Sequence, residues 1–156
     1  VANFVYNQAL GKAAEWAARV NANDPANSIL VLEAVASTAT DATLKDLDDF
    51  AAIEADANTA EVAQSGYARK TFNDSTGGIT VTIDDTNDRT DVDVPDQTWT
   101  AVASGGSAWT DLIFGYDSDS TTGTDSGVKP MTQHDFAITT DGSDITATIA
   151  VFYRAS

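Results

Sequence analysis

Carboxylates crowd one stretch of this chain. Asp84, Asp85, Asp88, Asp91 and Asp93 fall in the run Ile83-Asp84-Asp85-Thr86-Asn87-Asp88-Arg89-Thr90-Asp91-Val92-Asp93-Val94-Pro95. Ca²⁺ is a hard ion that takes about six to eight oxygen ligands, so the run has suitable chemistry for it. It lacks the ordered ligand spacing and closing Glu of an EF-hand loop. The plainer reading is a solvated acidic turn in which Arg89 pairs with a neighbouring Asp. The loop Asp117-Ser118-Asp119-Ser120-Thr121-Thr122-Gly123 also begins like a Ca²⁺ loop. Its fifth position is Thr and its Gly comes one place late, so a solvated loop is again the plainer reading. No metal ligand or cofactor is assigned.

Nucleophilic chemistry has as little to start from. His134 is the only histidine, between Gln133 and Asp135, and many serines are available. No Gly-x-Ser-x-Gly elbow accompanies it. A lone His at a strand start reads as a hydrogen-bonded structural residue. Carboxylate pairs that cleave glycosides carry no signal among twenty Asp residues, because some pair is always available. Gly105-Gly106 is not followed by the Lys-Ser or Lys-Thr of a phosphate loop. No catalytic residue is assigned, and the expectation is a protein that is not an enzyme.

The chain has 156 residues and a formal net charge of −16. That length suits one domain with a core of its own. Cysteine is absent, so disulfides and thiolate metal sites are excluded. Asp far outnumbers Glu, and Asp favours turns over helices because its short side chain bonds local backbone. The charge is therefore expected on loops and strand edges. Eight scattered Lys and Arg disfavour contact with nucleic acid, which needs clustered cations. No stretch approaches the roughly 20 apolar residues of a membrane helix. Val1-Ala2-Asn3-Phe4 has neither the basic start nor the apolar core of a secretory leader. The expectation is a soluble chain.

Residues 5–20 predict an amphipathic helix, with Tyr6, Ala9, Leu10, Ala13, Trp16, Ala17 and Val20 at helical spacing. Asn21 to Pro25 stops it. Ile29-Leu30-Val31-Leu32 predicts a buried strand, and residues 41–55 a second helix with Leu44, Leu47, Phe50 and Ile53 inward. Residues 56–65 read as a connection. From residue 66 the period becomes two, with strands around 67–72, 79–83, 91–94, 98–102, 108–116, 136–138 and 145–153. Turns are expected at 73–78 and 104–107, with a hairpin turn at Thr140-Asp141-Gly142-Ser143-Asp144. Trp16, Trp99 and Trp109 read as core residues; Trp99 has the alternative of a subunit contact, where Trp is enriched. The fold class is α+β, mostly β: an antiparallel sandwich or barrel of about seven strands with two helices in the N-terminal half. One domain spans 1–156, with a helix-containing part at 1–65 and a β-rich part at 66–156.

Several segments together carry a resemblance. They are Val5-Tyr6-Asn7 with Gly11-Lys12, Asn23-Asp24-Pro25-Ala26-Asn27-Ser28, Asp41-Ala42-Thr43-Leu44-Lys45-Asp46 and Tyr67-Ala68-Arg69-Lys70. Asp84-Asp85-Thr86-Asn87-Asp88-Arg89, Pro95-Asp96-Gln97-Thr98-Trp99, His134-Asp135-Phe136 and residues 140–144 complete the set. In this order they resemble small virion structural proteins of tailed bacteriophages. The resemblance implies a non-enzymatic capsid decoration, or cement, protein that binds the major capsid protein as a homotrimer. It would be made in the bacterial host cytoplasm and sit on the virion, with no nucleic acid or membrane as partner. The alternatives are a tail, tail-fibre or adaptor component that contacts the host, and a virion-borne glycan hydrolase. Three contact regions are expected. Ala2, Asn3, Phe4, Val5 and Tyr6 would extend as an arm. Asp84, Asp85, Asp88 and Arg89 would face a basic capsid patch. The strands of Trp99 and Trp109 would lie near the trimer axis.

Overall fold

A computed structural model describes residues 2–75 and 78–156. Three long strands form its centre: β2 (Ile29–Ser37), β8 (Trp109–Asp117) and β9 (Lys129–Ile138). They pair antiparallel in the order β9-β8-β2. At one edge lies β1 (Phe4–Val5), against β9. At the other edge β3 (Thr59–Glu61) and β4 (Lys70–Phe72) share β2 between them. Five short strands make two further sheets: β5 (Thr80–Asp84), β6 (Arg89–Asp93) and β11 (Tyr153–Ala155) in one, β7 (Gln97–Trp99) and β10 (Ile145–Ala147) in the other.

β2 is buried along most of its length because both of its faces are covered. Leu30, Leu32 and Ala34 face one cluster with Leu112, Phe114 and Tyr116. Val31 and Val35 face the other with Ile113. On the first face lie the two small sheets and helix α1 (Ala13–Asn21), through Val92, Trp99, Ile145, Phe152, Ala13, Ala17 and Val20. On the second lie α2 (Asp41–Lys45) and α3 (Phe50–Ala55), through Leu44, Phe50 and Ile53. The result is a sandwich-like α+β fold, mostly β, with the long sheet in the middle. Each fully buried Leu, Val or Phe contributes about 1.5–3 kcal/mol. A strand that buries both faces therefore stabilises more than a half-exposed one such as β5.

The mostly β class is borne out; several element boundaries differ. Eleven strands and three helices form among the described residues, against about seven and two expected. The first helix begins at Ala13, not residue 5, because Phe4–Val5 pairs with β9 and Gly11 takes a φ of +73°. The second helix splits. Thr40 caps α2 and Asp49 caps α3, each accepting a backbone N–H from three residues on. Residues 59–61 form β3 because β2 offers an open edge there. β9 starts at Lys129, before the apolar alternation begins. The segment 145–153 breaks into β10 and β11, which pair in different sheets. Residues 140–144 join β9 to β10 across sheets, so they close no hairpin. The turn at 73–78 runs through Thr76 and Gly77, which lie outside the described residues. The helical and β-rich parts also share one sheet, since β2 pairs directly with β8.

Gly115 on β8 shows how tightly the α3 layer meets the sheet. A Cβ there would sit 2.6 Å from two ring carbons of Phe50 and 2.7 Å from Val128. Gly115→Ala should therefore lower stability by about 1–3 kcal/mol through overpacking. Urea unfolding checks this, and an unchanged midpoint would contradict it.

Candidate functional site

β3 and β4 leave a gap along β2. β3 pairs with Val35–Ser37 and β4 with Leu30–Leu32. Glu33 and Ala34 lie opposite the gap. The Ala34 N–H finds the hydroxyl of Tyr67 at 3.0 Å, and that hydroxyl donates to Glu61 Oε1 at 2.9 Å. Tyr67 is itself held by aromatic contacts. Its ring stands edge-on to Trp109 at 5.3 Å and stacks on Trp99 at 6.3 Å. The two indoles meet edge to face at 5.1 Å. Trp99 Nε1 donates to the Ala68 carbonyl at 2.7 Å, and Trp109 Nε1 to Gln64 Oε1 at 3.2 Å. Both tryptophans thus fix the segment that leads into Arg69.

Arg69 joins five segments. Its Nε and Nη2 donate to the two oxygens of Glu61 on β3, at 2.8 and 3.0 Å. Nη2 also donates to Glu54 on α3, and Nη1 to Asp125 in a 3₁₀ turn. Glu33 on β2 lies 3.5 Å from Nη2. The guanidinium rests over the ring of Phe50, 5.6 Å from its centroid. Burial works against the charge of Arg69, but hydrogen bonds to Glu61 and Asp125 hold its pKa above the ordinary value.

Glu33 is fully buried, and neither carboxylate oxygen accepts a hydrogen bond among the described residues. Burial pushes its pKa up to about 8; Arg69 opposes this, while Glu61, Glu54 and Asp125 add to it. Glu54 is also raised, first by burial and then by Asp125. Single carboxylate oxygens of Glu33, Glu54 and Glu61 lie within 4.8 Å of one another. Four carboxylates against one guanidinium leave three formal negative charges when all are ionised. The cluster offers hard oxygen donors held by a rigid frame.

None of Glu33, Glu54, Glu61, Arg69 and Asp125 was among the expected contacts. One signal pointed at them: the chain has only four Glu among its acidic residues. Three of the four meet here, and the fourth, Glu15, pairs with Arg19 on α1. Glu has reach that Asp lacks, so a scarce Glu on a strand that is otherwise apolar marks a deliberate contact.

The expected contact regions lie elsewhere. Phe4 and Val5 are docked as β1, Asn3 accepts from the Asp135 N–H at 2.8 Å, and the Ala2 N–H donates to Asp41 at 3.3 Å. Tyr6 is buried and donates to Gln133 Oε1 at 2.9 Å, and Gln133 donates to buried Asp111 at 3.0 Å. The arm is therefore folded onto the chain's own sheet. Trp99 and Trp109, expected near a trimer axis, have their rings buried within the chain's own core.

Asp84 and Arg89 flank the β5–β6 turn, 3.2 Å apart, and Asp91 holds Arg89 at 3.3 Å and Arg154 at 2.6 Å. Hydrogen bonds from Asn87 to Asp84 help hold that carboxyl below its usual range. Asp85 and Asp88 are exposed. The second acidic loop closes on itself: Asp117 accepts from the Asp119 N–H and Asp119 from Thr121. His134 shares a 2.9 Å hydrogen bond with Thr132 and stands edge-on to Phe114; burial pushes its pKa down to about 4. No helix among the described residues is long and apolar enough to cross a membrane. No family model, curated protein or solved structure matches the chain.

Folded Glu33 keeps its proton up to about pH 8, whereas an unfolded Glu releases it near 4.3. The folded state therefore binds the extra proton between those values. The stability this gives is complete below the unfolded pKa and is lost as pH rises through about 8. Glu33→Gln removes the dependence. In metal-free buffer, its stability relative to wild type should grow by about 2–4 kcal/mol between pH 5 and 9. Urea unfolding at the two pH values measures it, and a constant difference would contradict the account.

Proposed function

We propose that this chain is a non-enzymatic virion structural protein of a tailed bacteriophage, a capsid decoration protein that binds the major capsid protein. The resemblance of its segments to small phage virion proteins supports the virion assignment. The observation that carries the docking role is the β5–β6 hairpin. Its base is neutralised within the chain, where Arg89 and Arg154 engage Asp84 and Asp91. Its tip is not: Asp85 and Asp88 are exposed, and Ile83, within β5, is 73% exposed. A preformed ribbon with an apolar residue beside free carboxylates suits a basic, partly apolar partner surface. Little ordering entropy is lost when such a surface binds.

Assembly as a homotrimer fits the sheet edges. The outer edge of β5 pairs with no other strand among the described residues. Burying such an edge between protomers removes an aggregation hazard. The net charge of −16 keeps particles dispersed and repels packaged DNA.

Cryo-electron microscopy of the virion tests the assignment. Density for this chain is expected on the shell between capsomers, in hundreds of copies; its absence there, or a few copies at the tail, would overturn it. Asp85→Lys combined with Asp88→Asn tests the hairpin. Asn is chosen because residue 88 has a φ of +50°, which Asn tolerates. Binding to undecorated capsids should weaken about tenfold and lose most of its salt dependence. Unchanged binding would exclude the hairpin from the contact.

A further inference from the structure

We propose that Glu33, Glu54 and Glu61 form a site for a divalent, oxygen-seeking cation of the Ca²⁺ class. Single oxygens of the three carboxylates lie within 4.8 Å of one another. A Ca²⁺ ion binds carboxylate oxygens at about 2.4 Å, so a slight closing of the partly exposed Glu54 and Glu61 side chains lets one ion reach all three.

The second observation is Glu33 itself. Its side chain is fully buried and aimed into the cluster, and neither oxygen accepts a hydrogen bond among the described residues. Arg69 does not fill that need. Nη2, the guanidinium nitrogen nearest Glu33, has two hydrogens. It directs them to Glu54 and to Glu61 Oε2. The 3.5 Å approach to Glu33 is thus charge attraction without a hydrogen bond. With Asp125, the four carboxylates still exceed Arg69 by three charges when ionised. A divalent ion reduces that excess to one and supplies ligand bonds to the buried oxygens of Glu33.

Access and the remaining ligands come from the solvent side. The Glu54 and Glu61 side chains are 31% and 29% exposed, so water reaches them. Ca²⁺ accepts a mixed shell of carboxylate and water oxygens. The frame is rigid: Glu33 is on the central sheet, Glu61 on β3, and Glu54 on α3, whose Phe50 packs against Gly115.

Tb³⁺, which replaces Ca²⁺ and luminesces when a nearby aromatic ring is excited, reads the site directly. The Tyr67 hydroxyl donates to Glu61 and its ring contacts Trp99 and Trp109, so sensitised emission is expected. Titration of the purified protein should saturate at one ion per chain, and Ca²⁺ should compete. Glu33→Gln and Glu54→Gln should each weaken binding at least tenfold, whereas Asp85→Asn with Asp88→Asn should leave it unchanged. Glu54 is partly exposed, so its variant remains informative should Glu33→Gln misfold. No saturable emission, an affinity unaltered in Glu54→Gln, or binding lost in the hairpin variant would each overturn the site.

Discussion

Four carboxylates from four segments converge on the guanidinium of Arg69, and the joining of the layers follows from that convergence. The sheet supplies Glu33 and Glu61, α3 supplies Glu54, and the turn before β9 supplies Asp125. Arg suits this position better than Lys. Its planar fork holds several carboxylates at fixed angles, while an ammonium acts as a point charge. Charges withdrawn from water cost energy unless they are paired and hydrogen-bonded. The fork meets that requirement for Glu61, Glu54 and Asp125, and gives Glu33 no hydrogen bond.

Packing around the cluster is set by apolar residues at both ends. Above it, Tyr67 is locked between Trp99 and Trp109, and the indole N–H groups tie down the chain at Gln64 and Ala68. Below it, Phe50 fills the space left by Gly115 and supports the guanidinium. The polar centre therefore stands on a hydrophobic frame and closes the gap where β3 and β4 fail to cover β2. The chain's acidic loops play no part in this. They fold on their own hydrogen bonds and leave exposed carboxylates at the tip of the β5–β6 hairpin.

The sequence made the alternating strands and the mostly β class readable, because a period of two is a local property. The apolar run at 29–32 revealed β2 for the same reason. What stayed hidden depended on contacts distant in the chain. Val5 and Tyr6 have helical spacing with later residues, yet the open edge of β9 takes the segment into the sheet. Residues 145–153 alternate without interruption, yet different partners claim the two ends. The acidic turn was legible as a self-paired loop, and Arg89 lies between Asp84 and Asp91 as that reading expects. Arg69 and Glu33 were not legible as partners. They are far apart in the chain, and although a lone Glu in an apolar strand is conspicuous, nothing local names Arg69 as its partner.

The central claim is that Arg69 clamps α3, β3 and the turn at Asp125–Gly127 onto the long sheet. Native-state hydrogen exchange on Arg69→Lys tests it most directly, because the charge stays while the fork is lost. The account predicts that amides of Phe50–Ala55, Thr59–Glu61 and Asp125–Gly127 lose protection together while those of β8 keep theirs. Unaltered protection in those three segments, or an equal loss throughout the chain, would contradict it.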